Sequence, residues 1–107
     1  MKVLFVCSLG RMRSKTAAHC IGGIEAKYCG TDPDADVKLT PELIEWADKV
    51  ICMEYEHLSA VEKIDGTEMV HAVWNIPDRF DYMEDELVWT LRRRAEKEGI
   101  GTTVFCQ

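Results

Sequence analysis

In the stretch VLFVCSLGRMRSKTAAHC an apolar run ends in Cys7, and an arginine, Arg13, follows six positions later. A cysteine thiolate is a nucleophile, and a guanidinium is a planar fork that holds two oxygens of a tetrahedral oxyanion at once. Together they suggest attack by sulfur on a bound oxyanion. The spacing alone is weak, since five cysteines and six arginines in 107 residues give about 0.3 such matches by chance.

The surroundings strengthen it. Lys2 to Val6 has the β-branched, apolar character of a buried strand, and Ser14 to Ile21 reads as a short helix closed by Gly22-Gly23. Residues 8–12 then form a loop between a strand end and a helix start. Backbone N–H groups and the positive end of the helix converge there, making a concave nest for an oxyanion. The same field favours the thiolate form of Cys7. The candidate anion-binding loop is Ser8, Leu9, Gly10, Arg11, Met12, Arg13 and Ser14. Within it Ser14 can donate to the sulfur and help it leave when an intermediate breaks down, and Gly10 supplies dihedral freedom. The competing reading makes Cys7 the last buried residue of a strand and Arg13 a solvated helix residue. The position of the loop argues against it.

The rest of the chain supplies the frame. Ile24 to Cys29 is expected as a second strand, ended by Gly30 to Asp36 with its Pro33. Thr40-Pro41-Glu42 is a helix start, with a capping hydroxyl, proline in the first turn and an acid facing the macrodipole, and its helix runs through Leu43, Ile44, Trp46 and Ala47. Val50 to Met53 follows as a third strand, and Glu54 to Ile64 as a helix. Asp65-Gly66 turns the chain into a fourth strand, Met69 to Trp74, and Asn75 to Asp81 is a loop. Glu84 to Glu98 is the last helix, with Leu87, Val88, Leu91 and Ala95 as its inward stripe and Gly99 as its stop. GTTVFCQ is either a short extra strand or a loose end. Strands alternating with helices predict an α/β, three-layer fold: a four-stranded parallel sheet, helices on both faces, and a ligand site at the carboxyl ends of the strands, where Cys7 stands.

Size and composition agree with one domain spanning 1–107 and one site. A net charge of −6 argues against nucleic acid as the main partner, so any anion site must be local. The first apolar run is too short for a signal peptide or a membrane span, and five cysteines without a C-x-x-C pair suit free thiols in a reducing compartment. A cytoplasmic protein is expected, with no membrane partner; the oligomeric state is left open. Glu54 and His57 lie three apart on a predicted helix, but His19 and His71 give them no companion ligands, so ordinary surface residues are expected and no metal site. Cys20, Cys29 and Cys52 read as small apolar residues, and Arg92 to Arg94 as a solvated helix end.

Three stretches, VLFVCSLGRMRSKTA, PELIEWADKVICMEYEH and IPDRFDYMEDELV, resemble the low-molecular-weight protein tyrosine phosphatases, including a small bacterial and phage branch of predicted phosphatases. The resemblance covers most of the chain. Only six residues precede Cys7, so an acid partner must come later in sequence, as in this family and not in the larger cysteine phosphatases. Better-studied members carry C-x-G-N-x-C-R-S. Here Gly10 stands in place of the asparagine and Met12 in place of the second cysteine. The loop thus lacks the asparagine side chain that rigidifies it in the family, and redox protection of Cys7 by a neighbouring thiol is expected to be absent. Arg11 is expected to add positive charge beside the pocket.

The resemblance implies a cofactor-free phosphomonoesterase that hydrolyses phosphotyrosine or another ester through a phosphocysteine intermediate, acting on a phosphorylated protein or a small aryl phosphate. Such chemistry needs an acid to protonate the leaving oxygen and, as a base, to activate water. Asp78, in Ile76-Pro77-Asp78, falls where the family places it. Asp81, three residues on, is the rival, though a solvated carboxylate or helix N-cap suits it better. Phe80 and Tyr82 either wall the pocket or plug the core. Two other functions use the same loop: a non-catalytic phosphate-binding module, and a thiol-coupled arsenate reductase, which needs two further cysteines close together.

Overall fold

The structure, a computed structural model, describes residues 1–65 and 71–101. β1 (Lys2–Cys7) is followed by α1 (Arg13–Cys20), β2 (Glu25–Gly30), α2 (Pro41–Trp46), β3 (Lys49–Cys52), α3 (Tyr55–Asp65), β4 (His71–Val73) and α4 (Asp85–Glu98). The expected order of elements therefore holds. Gly66 of the expected Asp65-Gly66 turn, the first residues assigned to the fourth strand and the GTTVFCQ tail after Gly101, with Cys106, lie outside the described residues.

All strand pairs are parallel, in the order β2-β1-β3-β4. β1 is central and buried on both faces, and its side chains alternate between two cores. Val3, Phe5 and Cys7 pack with Ala17 and Cys20 of α1 and with Leu87, Leu91 and Ala95 of α4. Leu4 and Val6 pack with Ile44 of α2 and Val61 of α3. A period of two in an apolar run thus sets two helix layers, one on each side of the sheet. β2 is an edge, and Lys27 lies 4.5 Å above the Trp46 ring, a charged residue where an edge strand needs protection.

Strand order places the site. From β1 the chain crosses one face by α1 to β2; from β3, the other neighbour of β1, it crosses the opposite face by α3 to β4. The loops leaving β1 and β3 diverge, and a crevice opens between their carboxyl ends. Cys7 ends β1, and Glu54 and His57 lie just beyond β3.

Local signals hold at both later helix ends. Thr40 Oγ1 accepts from the Leu43 N–H at 3.2 Å with Pro41 behind it, and Gly99 closes α4 in the left-handed region at φ 69°. The basic end of α4 is less solvated than its sequence suggests. Arg92 Nε donates to the Cys20 carbonyl at 3.1 Å and Arg94 Nη2 to that of Val73 at 3.4 Å, tying α4 to α1 and to the sheet. Arg93 stacks over Trp89 at 4.9 Å.

Candidate active site

The loop after β1 is held by its carbonyl groups. Those of Cys7, Ser8 and Leu9 accept from the N–H groups of Thr31 (3.0 Å), Asp32 (2.9 Å) and Asp36 (3.2 Å). In a trans peptide the N–H points opposite to the carbonyl, so the N–H groups of Ser8, Leu9 and Gly10 are turned away from that segment and toward the concave side. Gly10, at φ 69°, takes a conformation that other residues adopt only with strain. Its N–H reaches back to Cys7 Sγ at 3.2 Å.

Ser14 Oγ lies 3.0 Å from Cys7 Sγ and 3.3 Å from the Cys29 carbonyl oxygen. Its single proton serves either neighbour. With a protonated thiol, S–H donates to Ser14 while Ser14 donates to Cys29; with a thiolate, the serine proton turns to sulfur. Two donors, Gly10 N–H and Ser14 O–H, then converge on the sulfur anion.

Arg13 opens α1 and is buried, its Nη1 donating to the Ile76 carbonyl at 2.8 Å. Nη1 also lies 3.4 Å from Glu54 Oε2, and Nη2 lies 3.8 Å from Asp78 Oδ1. The guanidinium is therefore clamped by the loop after β3 and by the segment after β4. Cys7, Ser8, Leu9, Arg11, Met12, Arg13 and Asp78 line one cavity of about 100 Å³. That is room for a small group such as a tetrahedral oxyanion, well below the ~300–1,000 Å³ of sites for drug-sized ligands.

No family model matches the chain, and no curated protein does. Solved structures do. A low-molecular-weight protein tyrosine phosphatase from Bacillus subtilis superposes with a TM-score of 0.68 at 18% identity, covering 92% of this chain and 97% of its own. The YwlE arginine phosphatase from Geobacillus stearothermophilus gives 0.59 at 23% identity over 92% of each chain. The tyrosine phosphatase Wzb from Escherichia coli K30, in complex with phosphate, gives 0.61 at 21% identity over 90% of this chain and 96% of its own. The fold is that of the low-molecular-weight protein tyrosine phosphatases.

Within this phosphatase fold the residues singled out by sequence meet different fates. Cys7, Arg13 and Asp78 come together at the cavity. Asp81 is exposed and does not line it. Nor does Asp81 cap α4: the N-cap is Glu84, and the Glu84 carboxylate reaches back to accept from the Asp81 N–H at 2.9 Å. Phe80 is a core plug in the cluster beneath α1 and α4. Tyr82 is half exposed and bonded to His19 Nδ1 at 2.6 Å. Neither aromatic lines the cavity. Arg11 does, but Asp36 accepts from its Nε at 3.1 Å and raises its pKa, so its charge is largely matched within the chain. Cys20, Cys29 and Cys52 are buried free thiols, as their apolar reading expects, and burial pushes them up to about 11, 12 and 12.

Two residues escaped the sequence reading. His57, expected at the surface, is fully buried, because the turn from β3 into α3 folds against the loop after β1. Gly30, read only as the end of a strand, is the surface on which that loop rests. A Cβ there would collide with the Ser8 carbonyl and lie 2.7 Å from the Leu9 carbonyl carbon and 2.8 Å from Gly10 N. A glycine at the end of a strand is a signal of close backbone approach, and it was available. The Glu54–His57 spacing was visible as well, but burial follows from tertiary contact and not from spacing.

Proposed function

We propose that the chain is a cysteine-dependent phosphomonoesterase. One observation carries the reading: a sulfur within hydrogen-bond reach of the Gly10 N–H and the Ser14 hydroxyl, a buried guanidinium and an exposed carboxyl group all face one cavity the size of a phosphoryl group. Cys7 attacks phosphorus and forms an S–P bond as the P–O bond to the leaving group breaks. Arg13 and the loop N–H groups hold the equatorial oxygens, whose charge is spread in the transition state. Asp78 gives its proton to the departing oxygen. As a carboxylate it then takes a proton from water, whose oxygen attacks the phosphocysteine; the S–P bond breaks, and Ser14 donates to the sulfur that leaves.

The substrate we favour is an aryl phosphate, such as phosphotyrosine in a protein. The fold is shared with enzymes named as tyrosine phosphatases and with one named as an arginine phosphatase. Leu9 and Met12 at the cavity suit an aromatic ester better than a cationic guanidino group. A thiol relay of the arsenate reductase kind is disfavoured by Cys20, Cys29 and Cys52, which are buried and held protonated.

The test is a panel of p-nitrophenyl phosphate, a phosphotyrosine peptide and phosphoarginine, assayed on wild type and Cys7→Ser. Hydrolysis of the aryl esters should fall to background in Cys7→Ser while vanadate or phosphate still binds, because the anion nest is backbone and Arg13 whereas the nucleophile is sulfur. Turnover near wild type in that variant would overturn the mechanism. Phosphate binding by wild type without hydrolysis of any ester would make the chain a phosphate-recognition module.

A further inference from the structure

We propose that Ser8 is a side-chain donor to the bound phosphoryl oxygens and that His57, buried behind the loop, is the positioning residue that aims it. The inference rests on the reading that the cavity holds a phosphoryl group.

The proton count leads there. The Glu54 N–H donates to His57 Nδ1 at 3.0 Å, so Nδ1 is an acceptor. Burial pushes the imidazole down to about 4, Arg13 acting the same way against the opposing charges of Glu54 and Asp78, so the ring is neutral and carries one proton. With Nδ1 an acceptor, that proton sits on Nε2. Nε2 lies 3.0 Å from Ser8 Oγ, and the imidazole is the donor in this bond. The tautomer is assigned from the partners of the ring. Ser8 Oγ therefore accepts from His57 and cannot give it a proton, and the serine's own hydrogen is available elsewhere. Ser8 lines the cavity between Cys7 and Leu9, so an oxyanion there can accept it.

The same turn grips the site twice. The His57 N–H closes on the Glu54 carbonyl at 3.0 Å, fixing residues 54–57, while the Glu54 carboxylate holds Arg13 Nη1 at 3.4 Å and the His57 ring holds Ser8. One rigid turn thus sets the two side chains that would meet the phosphoryl oxygens. It also braces the loop from outside, where Gly10 offers no side chain to brace it from within.

The experiment needs no substrate. Two-bond ¹H–¹⁵N correlation spectra of histidine-labelled wild type should show His57 as the Nε2–H tautomer at pH 7; an Nδ1–H tautomer overturns the proposal. Inorganic phosphate affinity is then measured by calorimetry for Ser8→Ala, His57→Asn, His57→Gln and the Ser8→Ala/His57→Asn double variant. A glutamine amide reaches the Nε2 position and can donate to Ser8, whereas an asparagine amide reaches only the Nδ1 position. Ser8→Ala and His57→Asn should each weaken phosphate about 10-fold, and the double variant no further. His57→Gln should stay within about 3-fold of wild type. Wild-type affinity in Ser8→Ala, equal losses in the two His57 variants, or fully additive losses would each overturn the proposal. If the His57 variants do not fold, Ser8→Ala against Ser8→Thr, which keeps the hydroxyl, decides with the tautomer. If wild type binds phosphate with this pattern yet hydrolyses nothing, the phosphatase reading fails and this inference stands. If it hydrolyses esters and Ser8→Ala is indifferent, this inference fails alone.

Discussion

Residues 8–12 and residues 75–84 bound the same cavity from opposite sides and are held there by different means. The first segment is held at several points: the carbonyls of Ser8 and Leu9, and that of Cys7 just before them, bond to residues 31–36, Ser8 bonds to His57, and Gly10 rests against the backbone of Cys29 and Gly30. The second is fixed at intervals. Ile76 is buried, its N–H on the Met53 carbonyl at 2.9 Å and its own carbonyl on Arg13; Phe80 is buried; and the Met83 N–H reaches Thr16 Oγ1 at 2.9 Å. Between Ile76 and Phe80, residues 77–79 are exposed, and Asp78 faces Arg13 from 3.8 Å with 68% of its side chain in solvent. An anion site gains from donors that need no reorganisation, so it belongs in the core. A proton donor must meet leaving groups of different shape and exchange its proton with water, which suits an exposed side chain on a loop pinned at both ends. Substitutions in the first segment should therefore impair binding and turnover together. Those in the second should impair only the step that needs a proton.

Arg13→Lys should break the first half of this contrast most severely. An ammonium cannot reproduce the two-point hold on the phosphoryl oxygens, nor keep both the Ile76 carbonyl and Glu54 satisfied in a buried position. Losing one such donor costs about 10²–10³ in turnover, so kcat/KM for p-nitrophenyl phosphate should fall by that much and phosphate affinity should fall with it. An unimpaired lysine variant would mean that Arg13 serves only the fold.

Asp78→Asn tests the second half. The rate for an alkyl or phenyl phosphate, whose leaving group needs the proton, should fall about 10²-fold or more, while p-nitrophenyl phosphate, with its stable anion, loses far less. Phosphate affinity should be nearly unchanged. Asp81→Asn should show a small loss that does not depend on the leaving group, since its structural bond to Glu84 is made by the backbone N–H. A reversal between the two aspartates would move the acid to Asp81 and leave the rest of the contrast intact.

Gly30→Ala probes the floor of the loop without touching the cavity. The new methyl group meets backbone, which cannot step aside, so residues 8–10 must shift. Overpacking of this kind costs about 1–3 kcal/mol, and the displaced N–H groups should weaken phosphate binding about 10-fold. Chemical denaturation and calorimetry on the same sample would read both. A variant with wild-type stability and affinity would show that the loop is less rigidly seated than its bonds imply.

What the sequence made legible is what depends on neighbours in the chain. The apolar run of β1, the Thr40 cap, the stripe and glycine stop of α4, and the C-x5-R loop are patterns within about ten residues, set by local geometry, and the fold follows from their order. What it hid depends on segments that meet only after folding. His57 and Ser8 are 49 residues apart in the chain and Arg13 and Ile76 are 63 apart, so no spacing rule marks either contact. Phe80 and Tyr82 sit at neighbouring positions with the same aromatic character, yet one is buried and the other bonded to His19 near the surface. Asp81 was a reasonable capping residue by type. The chain instead caps that turn in reverse, from the Glu84 side chain.

The smallest expected effect concerns the stability of the first segment in acid. His57 is neutral in the fold because burial, and secondarily the Arg13 charge, lower its pKa from 6.5 to about 4, Glu54 and Asp78 pulling the other way. Glu56, 3.8 Å from Nε2, is a further charged group beside the ring. With a depressed folded pKa, the unfolded chain takes up the proton first as pH falls. Stability is therefore fully present above about pH 6.5, declines by up to about 1.4 kcal/mol per pH unit below it, and stops declining once pH passes below about 4. Between pH 7 and pH 5, above the range in which most carboxylates titrate, this one group accounts for about 2 kcal/mol of lost stability. Urea unfolding of wild type across that range should show the slope, and His57→Gln, which keeps a donor for Ser8 but cannot be protonated, should lack it. Equal slopes in the two proteins would mean that the imidazole titrates in the fold as it does in the unfolded chain, and the tight seating of the phosphate loop would then need another explanation than a buried neutral histidine behind it.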